Sequence, residues 1–242
     1  MQPSPDFEII HGFQIAGIDP PARALIPKVG TVRHLLVFLH GYGAEADDLF
    51  PLARQLAPAL PETAFVSLDA PEPIPGGMFG GRQWFPLMRI DDDEVDHGAA
   101  MGRGYVITAL DTLRTRFDLQ WSDIALFGFS QGCMMALEVA LRLPGDLALV
   151  LGYSGALPAP DRAKRETVAR PPVLLVHGEE DAVVPFTSMQ TAAETLAEIG
   201  VRVDTFARPD LAHGIDGPGL EAALVRLRDA FGTPTDLTDD HG

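Results

Sequence analysis

The feature that most constrains this chain is an alternation of short apolar runs with segments of helical periodicity. The apolar runs are bounded by glycine and proline, and several of them lack the polar alternation of a half-exposed strand. Such runs are typical of parallel strands that are buried on both faces. The sequence therefore predicts an α/β fold with a mostly parallel central sheet covered by helices on both faces.

The predicted elements cover most of the chain. Strands are expected at residues 7–15, 32–39, 63–68, 124–129, 147–152, 173–176 and 201–206. Helices are expected at residues 46–59, 95–117, 131–143, 187–199 and 218–231. Because no composition shift marks a domain boundary, we expect a single domain over residues 1–231, followed by a frayed polar tail at residues 232–242.

One predicted connection, residues 70–94, is much longer than the few residues that usually join elements in an α/β fold. It is rich in proline and glycine and carries Met78, Phe79, Trp84 and Phe85, which would be costly to leave in water. This composition favours a segment that packs as a cover over a functional cleft rather than a surface excursion.

Charge and cysteine content argue against several classes of protein. Acidic residues outnumber basic ones 34 to 18, so the net charge of -16 repels phosphate backbones and anionic lipid headgroups. The single cysteine, Cys133, excludes an intrachain disulfide and a Cys-rich metal site. The chain also lacks a signal-peptide pattern and an apolar run of the roughly 18 residues that a membrane span requires. We expect a cytoplasmic protein without a nucleic-acid partner, stable membrane insertion or a bound metal.

The strongest local motif is Gly-Phe-Ser-Gln-Gly at residues 128–132, which directly follows an apolar strand and begins a helix. A sharp turn from strand to helix holds its serine in a strained conformation, and glycines on either side avoid collisions there. Ser130 is therefore the candidate nucleophile. The alternative is a serine that merely caps a helix.

A serine nucleophile needs a histidine to take its proton and a carboxylate to orient that histidine. Of the seven histidines, His40, His177 and His213 lie in turns after predicted strands. His213 follows the last strand and is the candidate base. Asp181, just before the apolar Ala-Val-Val-Pro, is the candidate orienter, with Glu180 as the alternative. The order Ser, Asp, His is that of the α/β-hydrolase fold.

The loop after the third strand of that fold supplies a donor to the oxyanion hole, and here it reads His40-Gly41-Tyr42-Gly43. The predicted donors are the backbone N–H groups of Tyr42 and of Gln131, the residue after the nucleophile. The side chain of His40 is expected to anchor its loop. Trp84 and, more weakly, Val184 are candidates for the wall of a substrate pocket.

Five blocks in the right order resemble the phospholipase/carboxylesterase family, which includes acyl-protein thioesterases and small bacterial carboxylesterases. They are LLVFLHGYGAEADDL, the WF of GRQWFPL, ALFGFSQGCMMAL, LLVHGEEDAVVP and AHGI, and they run from about residue 33 to residue 230. The resemblance implies an α/β-hydrolase core with no metal or organic cofactor. It also implies Ser130, Asp181 and His213 as a triad, with an oxyanion hole at Tyr42 and Gln131.

The expected activity is that of a serine carboxylesterase, which cleaves small to medium acyl esters or thioesters through an acyl-enzyme intermediate. Two alternatives keep the fold and the nucleophile: a lysophospholipase and an acyl-protein thioesterase. A third, from a different class, is a catalytically silent binding module. The expected partner is a small-molecule acyl substrate, and a homodimer is left open.

Overall fold

The computed structural model describes residues 7–76, 81–87 and 92–233, and its central element is a sheet of eight strands. Across the sheet these strands are β1 (Phe7–Ile15), β2 (Ile18–Pro27), β4 (Thr63–Leu68), β3 (His34–Leu39), β7 (Ile124–Phe129), β8 (Leu149–Tyr153), β9 (Val173–Gly178) and β10 (Val203–Arg208). β2 runs antiparallel to both of its neighbours, whereas every pair from β4 to β10 is parallel. The predicted mostly parallel sheet is confirmed.

Within the described residues, six α-helices cover the two faces of the sheet. They are α1 (Ala46–Leu56), α2 (Asp92–Phe117), α3 (Gln131–Ala140), α4 (Pro160–Glu166), α5 (Thr187–Glu198) and α6 (Gly217–Ala230). The buried residues of α1 and α6 join the apolar core on one face, and those of α2 to α5 join the core on the other. Short 3-10 turns follow α1 at Ala57–Ala59 and precede β7 at Trp121–Asp123.

The central strands are as buried as their composition predicts. Every residue of β4, β8 and β9 is buried, as is every residue but one of β3 and β7. Such strands lose their polar alternation because both of their faces meet helices. β10, at the edge of the sheet, is mostly half-buried.

Three elements were not predicted. β2 carries three prolines, which usually argue against a strand. It bonds to β4 only over Arg23–Leu25, and all three prolines lie outside that stretch. α4 has a single buried residue, Ala163, so it shows no apolar periodicity. The third is a hairpin of two-residue strands, β5 (Glu72–Pro73) and β6 (Arg82–Gln83), inside the long connection.

The long connection is described in part. Trp84 and Phe85 are buried in the core that faces α2 and α3. Met78 and Phe79 lie outside the described residues, as does the predicted tail from residue 234 onward. Every strand of the described chain except the small hairpin joins the same sheet, which supports the single domain that we propose over residues 1–231.

Parallel pairing brings the carboxyl ends of the strands to one edge of the sheet. β3 ends before His40, β7 before Ser130, β9 before the turn with Asp181, and β10 before the segment with His213. In open α/β sheets ligands bind outside this edge. The fold therefore gathers four of the segments that the sequence singled out.

Candidate active site

Ser130 lies on the turn between β7 and α3 in a conformation that L-residues rarely adopt. Its φ of 54° and ψ of −118° are strained for any residue with a side chain, and its N–H donates to the carbonyl of Tyr153 at 2.8 Å. A Cβ on Gly132 would overlap the carbonyl oxygen of Leu39, and a Cβ on Gly128 would overlap that of Gly132. The two motif glycines therefore allow the strand, the turn and the helix to approach closely.

Asp181 and His213 are joined directly. Nδ1 of His213 lies 2.8 Å from Oδ2 of Asp181, while Oδ1 accepts the backbone N–H groups of Val183 and Val184, each at 2.9 Å. Burial raises the pKa of Asp181, but the hydrogen bonds from His213, Val184 and Val183 outweigh it and hold the pKa below its usual value. The carboxylate is ionised near neutral pH, and Glu180, the alternative orienter, is exposed.

His213 also reaches the turn that carries Ser130. Its imidazole packs against the ring of Phe129, the residue before Ser130, with centroids 4.9 Å apart. A carboxylate oxygen only accepts, so Nδ1 carries the hydrogen and Nε2 is the nitrogen that can act as a base. Within the described chain Ser130 Oγ makes no hydrogen bond to His213; such bonds often shorten only when substrate binds.

The two predicted oxyanion donors lie on either side of Ser130. The Tyr42 amide follows β3, and the Gln131 amide is at the first position of α3. Among residues 7–76, 81–87 and 92–233 neither N–H donates to a backbone carbonyl. Both are therefore available to an oxyanion, and the helix N-terminus adds a favourable dipole.

His40 anchors the loop that carries Tyr42. Its Nδ1 donates to the carbonyl of Gly41 at 2.8 Å, and its Nε2 accepts the N–H of Ala70 at 3.0 Å. Burial lowers the pKa of His40, although the Gly41 hydrogen bond opposes this. These contacts fit a neutral imidazole with a structural role.

Trp84 lies beneath the same loop. It is 2% exposed, its indole Nε1 donates to the carbonyl of His40 at 2.7 Å, and its ring lies 5.2 Å from the imidazole of His40. The side chain of Gln131 accepts the backbone N–H of Trp84 at 2.9 Å and donates to the carbonyl of Phe85 at 2.8 Å. Trp84 therefore supports the oxyanion loop, while its role as a pocket wall stays a prediction.

A cleft of about 920 Å³ lies next to the turn of Asp181, although Ser130, Asp181 and His213 are not among the residues that line it. Part of its lining is charged: Asp93, Asp96, Asp161, Arg162 and Arg165. Met134, one turn along α3 from Ser130, and Val184, which bonds to Asp181, both line it. The other apolar lining comes mainly from the start of α2, the segment before α4, and α5: Val95, Ala100, Ala156, Leu157, Pro158, Ala159, Pro185 and Ala192. A cleft of this size and composition suits an acyl chain.

One wall of the cleft is held by a buried carboxylate that the sequence analysis missed. Glu138, on α3, is 0% exposed and binds Arg103 at 3.2 Å, Arg142 at 2.9 Å and Arg162 at 3.2 Å. Arg162 also donates to the carbonyl of Asp96 at 3.0 Å, so the cluster ties α2, α3 and α4 together. The signal in the sequence was a lone glutamate inside the apolar run of α3.

Cys133 and the possible metal ligands are further candidate groups within the described residues. Burial raises the pKa of the Cys133 thiol to about 12, so it packs as a small apolar residue. In the described ranges no three His, Cys, Asp or Glu side chains are grouped to hold a metal ion. No helix in the same ranges is long and apolar enough to cross a bilayer.

Comparison with known proteins gives concordant matches. The family model described as Phospholipase/Carboxylesterase matches residues 22–229. The chain is 30% identical to esterase YpfH of Escherichia coli, over 81% of this chain and 82% of that protein. It is 35% identical to acyl-protein thioesterase 1 of Gibberella zeae, over 86% of this chain and 94% of that protein.

A solved structure matches over nearly the whole described chain. The crystal structure of esterase PE8 superposes with a TM-score of 0.82 at 35% identity, covering 86% of this chain and 97% of that one. This chain therefore resembles a known esterase in its three-dimensional fold as well as in its sequence. It confirms the α/β-hydrolase architecture expected from the order of the motifs.

Proposed function

Because the chain belongs to the phospholipase/carboxylesterase family of ester hydrolases, we propose that it is a serine carboxylesterase using Ser130, His213 and Asp181. The substrates we propose are small to medium acyl esters or thioesters. The observation that carries the proposal is the 2.8 Å contact between His213 Nδ1 and Asp181 Oδ2, beside the strained turn of Ser130. It supports a base that is already in the required tautomer.

In the first half-reaction, His213 Nε2 takes the proton of Ser130 Oγ as Oγ bonds to the acyl carbon. The carbonyl oxygen becomes an oxyanion, which the N–H groups of Tyr42 and Gln131 stabilise. When the tetrahedral intermediate collapses, the bond to the leaving oxygen or sulfur breaks. The imidazolium of His213 then returns its proton to the departing alcohol or thiol, leaving an acyl-enzyme on Ser130.

In the second half-reaction, water attacks the acyl-enzyme while His213 Nε2 takes the proton of that water. Collapse of the second tetrahedral intermediate breaks the bond to Ser130 Oγ, which regains a proton from His213, and the carboxylic acid leaves. Asp181 stays ionised throughout and stabilises the imidazolium. This scheme predicts ping-pong kinetics.

The choice of acyl substrate rests on the cleft. Its apolar lining beside Met134 and Val184 favours an aliphatic chain, and its volume of about 920 Å³ is near the upper end for small-molecule sites. The match to acyl-protein thioesterase 1 favours testing thioesters with the same chain lengths. The net charge of -16 makes an anionic lysophospholipid a weaker candidate.

The experiment is a chain-length profile on p-nitrophenyl esters and matched acyl thioesters, with lysophospholipid in parallel. We expect turnover of the esters or thioesters, a single fluorophosphonate adduct on Ser130, and loss of nearly all turnover in Ser130→Ala. Ser122→Ala is the matched control, because Ser122 is exposed and precedes β7 at the opposite edge of the sheet. If wild-type protein forms no adduct and turns over no substrate, the chain is a binding module and the proposal fails.

A further inference from the structure

A second histidine contacts the carboxylate of Asp181. His177, at the end of β9, is 1% exposed, and its Nε2 lies 2.9 Å from the carbonyl oxygen of Val184 and 3.3 Å from Oδ2 of Asp181. That carboxylate oxygen is also the one that meets His213. Two imidazoles therefore converge on one oxygen, and the mechanism above uses only one of them.

The partners of His177 fix its tautomer. A carbonyl oxygen only accepts hydrogen bonds, so Nε2 of His177 carries the hydrogen that points to Val184. Nε2 also lies 3.3 Å from Oδ2 of Asp181, but within the described residues the hydrogen bond of this N–H goes to Val184 alone. The edge of the imidazole meets the ring of Phe186, with centroids 6.0 Å apart, which limits rotation of the histidine.

These contacts close a ring around the turn that presents Asp181. Val184 donates its N–H to Oδ1 of Asp181 and accepts from His177 through its carbonyl oxygen. His177 in turn reaches Oδ2 of Asp181. His177 therefore holds, through Val184, the turn whose N–H groups bind Oδ1 of Asp181, and the orientation of the carboxylate toward His213 depends on a strand residue beneath it.

We propose that His177 is a positioning residue for the reaction: its Nε2–H bond to the carbonyl of Val184 holds the turn at 181–184, and with it the Asp181 carboxylate, in the orientation that His213 requires. The inference rests on the proposed triad, because it acts through Asp181. His177 touches no reacting atom and does not itself line the cleft, which it meets only through the main-chain carbonyl of Val184, so its loss should lower kcat and leave KM nearly unchanged.

The test compares two substitutions of similar size. His177→Gln keeps an N–H donor near the position of Nε2, whereas His177→Met removes the donor and keeps most of the volume. On a short-chain p-nitrophenyl ester we expect His177→Met to lose at least about tenfold in kcat with KM within about twofold of wild type. His177→Gln should recover most of the loss. If the role of His177 is purely structural, the apparent kcat of each variant should fall only in proportion to its folded fraction, which thermal unfolding measures.

A double-mutant cycle identifies the route of the effect. If His177 acts through Asp181, His177→Met should change the residual rate of Asp181→Asn much less than it changes the wild-type rate.

If the methionine variant does not fold, His177→Asn replaces it, because the asparagine amide is too short to reach the position of Nε2. A folded variant without the donor that keeps kcat within twofold overturns the inference, as does a glutamine variant no better than the methionine one. Full activity in Asp181→Asn would overturn the proposed triad instead.

Discussion

The indole Nε1–H of Trp84 donates a hydrogen bond of 2.7 Å to the main-chain carbonyl of His40. Through this bond the long connection after β4 supports the loop after β3, two residues before the amide of Tyr42. The geometry of the proposed oxyanion hole thus depends on a segment that contributes no atom to it.

Trp84→Phe removes the indole donor and leaves a buried carbonyl unpaired, so we expect a loss of about 1–3 kcal/mol in the free energy of unfolding. We also expect kcat to fall by a similar factor for all acyl chain lengths, because the Tyr42 amide loses its support. Trp121→Phe is the control, since Trp121 lies in the 3-10 turn before β7, at the opposite edge of the sheet. A change in chain-length preference without a general loss of kcat would instead assign Trp84 to the pocket wall.

Asp181→Asn should lower kcat by up to about 10⁴-fold, because an amide no longer favours the required tautomer of His213 or stabilises its imidazolium. Glu180→Gln is the matched control, since this neighbouring carboxylate is exposed. Steady-state kinetics on one ester suffice for both variants. If Glu180→Gln lowers kcat and Asp181→Asn does not, Glu180 is the orienter.

Glu138→Ala should destabilise the protein by about 3 kcal/mol, because it leaves Arg103, Arg142 and Arg162 facing one another without their shared carboxylate. Urea unfolding measures the effect. Glu221→Ala, at an exposed position on α6, should change the free energy of unfolding by less than about 0.5 kcal/mol. Equal effects of the two substitutions would argue against a structural role for the cluster.

His40 makes stability depend on pH in a predictable direction. Burial holds its pKa below the ordinary value of 6.5 in the folded protein, so below that pH the unfolded chain binds a proton that the folded protein does not. The part of the folding stability that depends on a neutral His40 is fully present above pH 6.5. It is lost as the pH falls toward the pKa of His40 in the folded protein.

Urea unfolding of wild type and His40→Gln between pH 8 and pH 5 tests this dependence. The wild type should lose more stability over that range than the variant. Burial also lowers the pKa of His34. Since His34 is present in both proteins, it adds the same slope to both plots of stability against pH. Parallel stability curves for the two proteins would contradict the assignment of His40 as a neutral buried group.

The residues proposed for the reaction could be predicted because each follows an apolar strand and belongs to a local motif. Ser130 is recognisable from five consecutive residues together with the apolar strand before them and the helix after them, and Asp181 and His213 from their turns and their order. The supporting contacts could not be predicted in this way. Gln131 and Trp84 are 47 residues apart, and nothing local to either residue indicates that they meet.

The missed elements have a similar explanation. α4 buries one residue, and β2 is paired despite its prolines, so tertiary contacts decide both elements. His177 is an intermediate case. Its spacing of four residues from Asp181 was visible in the sequence, but its contact with the carboxylate depends on how the turn after β9 folds back over the end of the strand.

The close approach of Gly132 to the carbonyl of Leu39 has a consequence for how such proteins diversify. Since no side chain fits between α3 and the end of β3, this contact holds the two segments that carry the proposed oxyanion amides close together. The cleft lining, in contrast, comes largely from the start of α2, the segment before α4, and α5. Substitutions in those walls are therefore expected to change the acyl preference without disturbing the contact between Gly132 and Leu39.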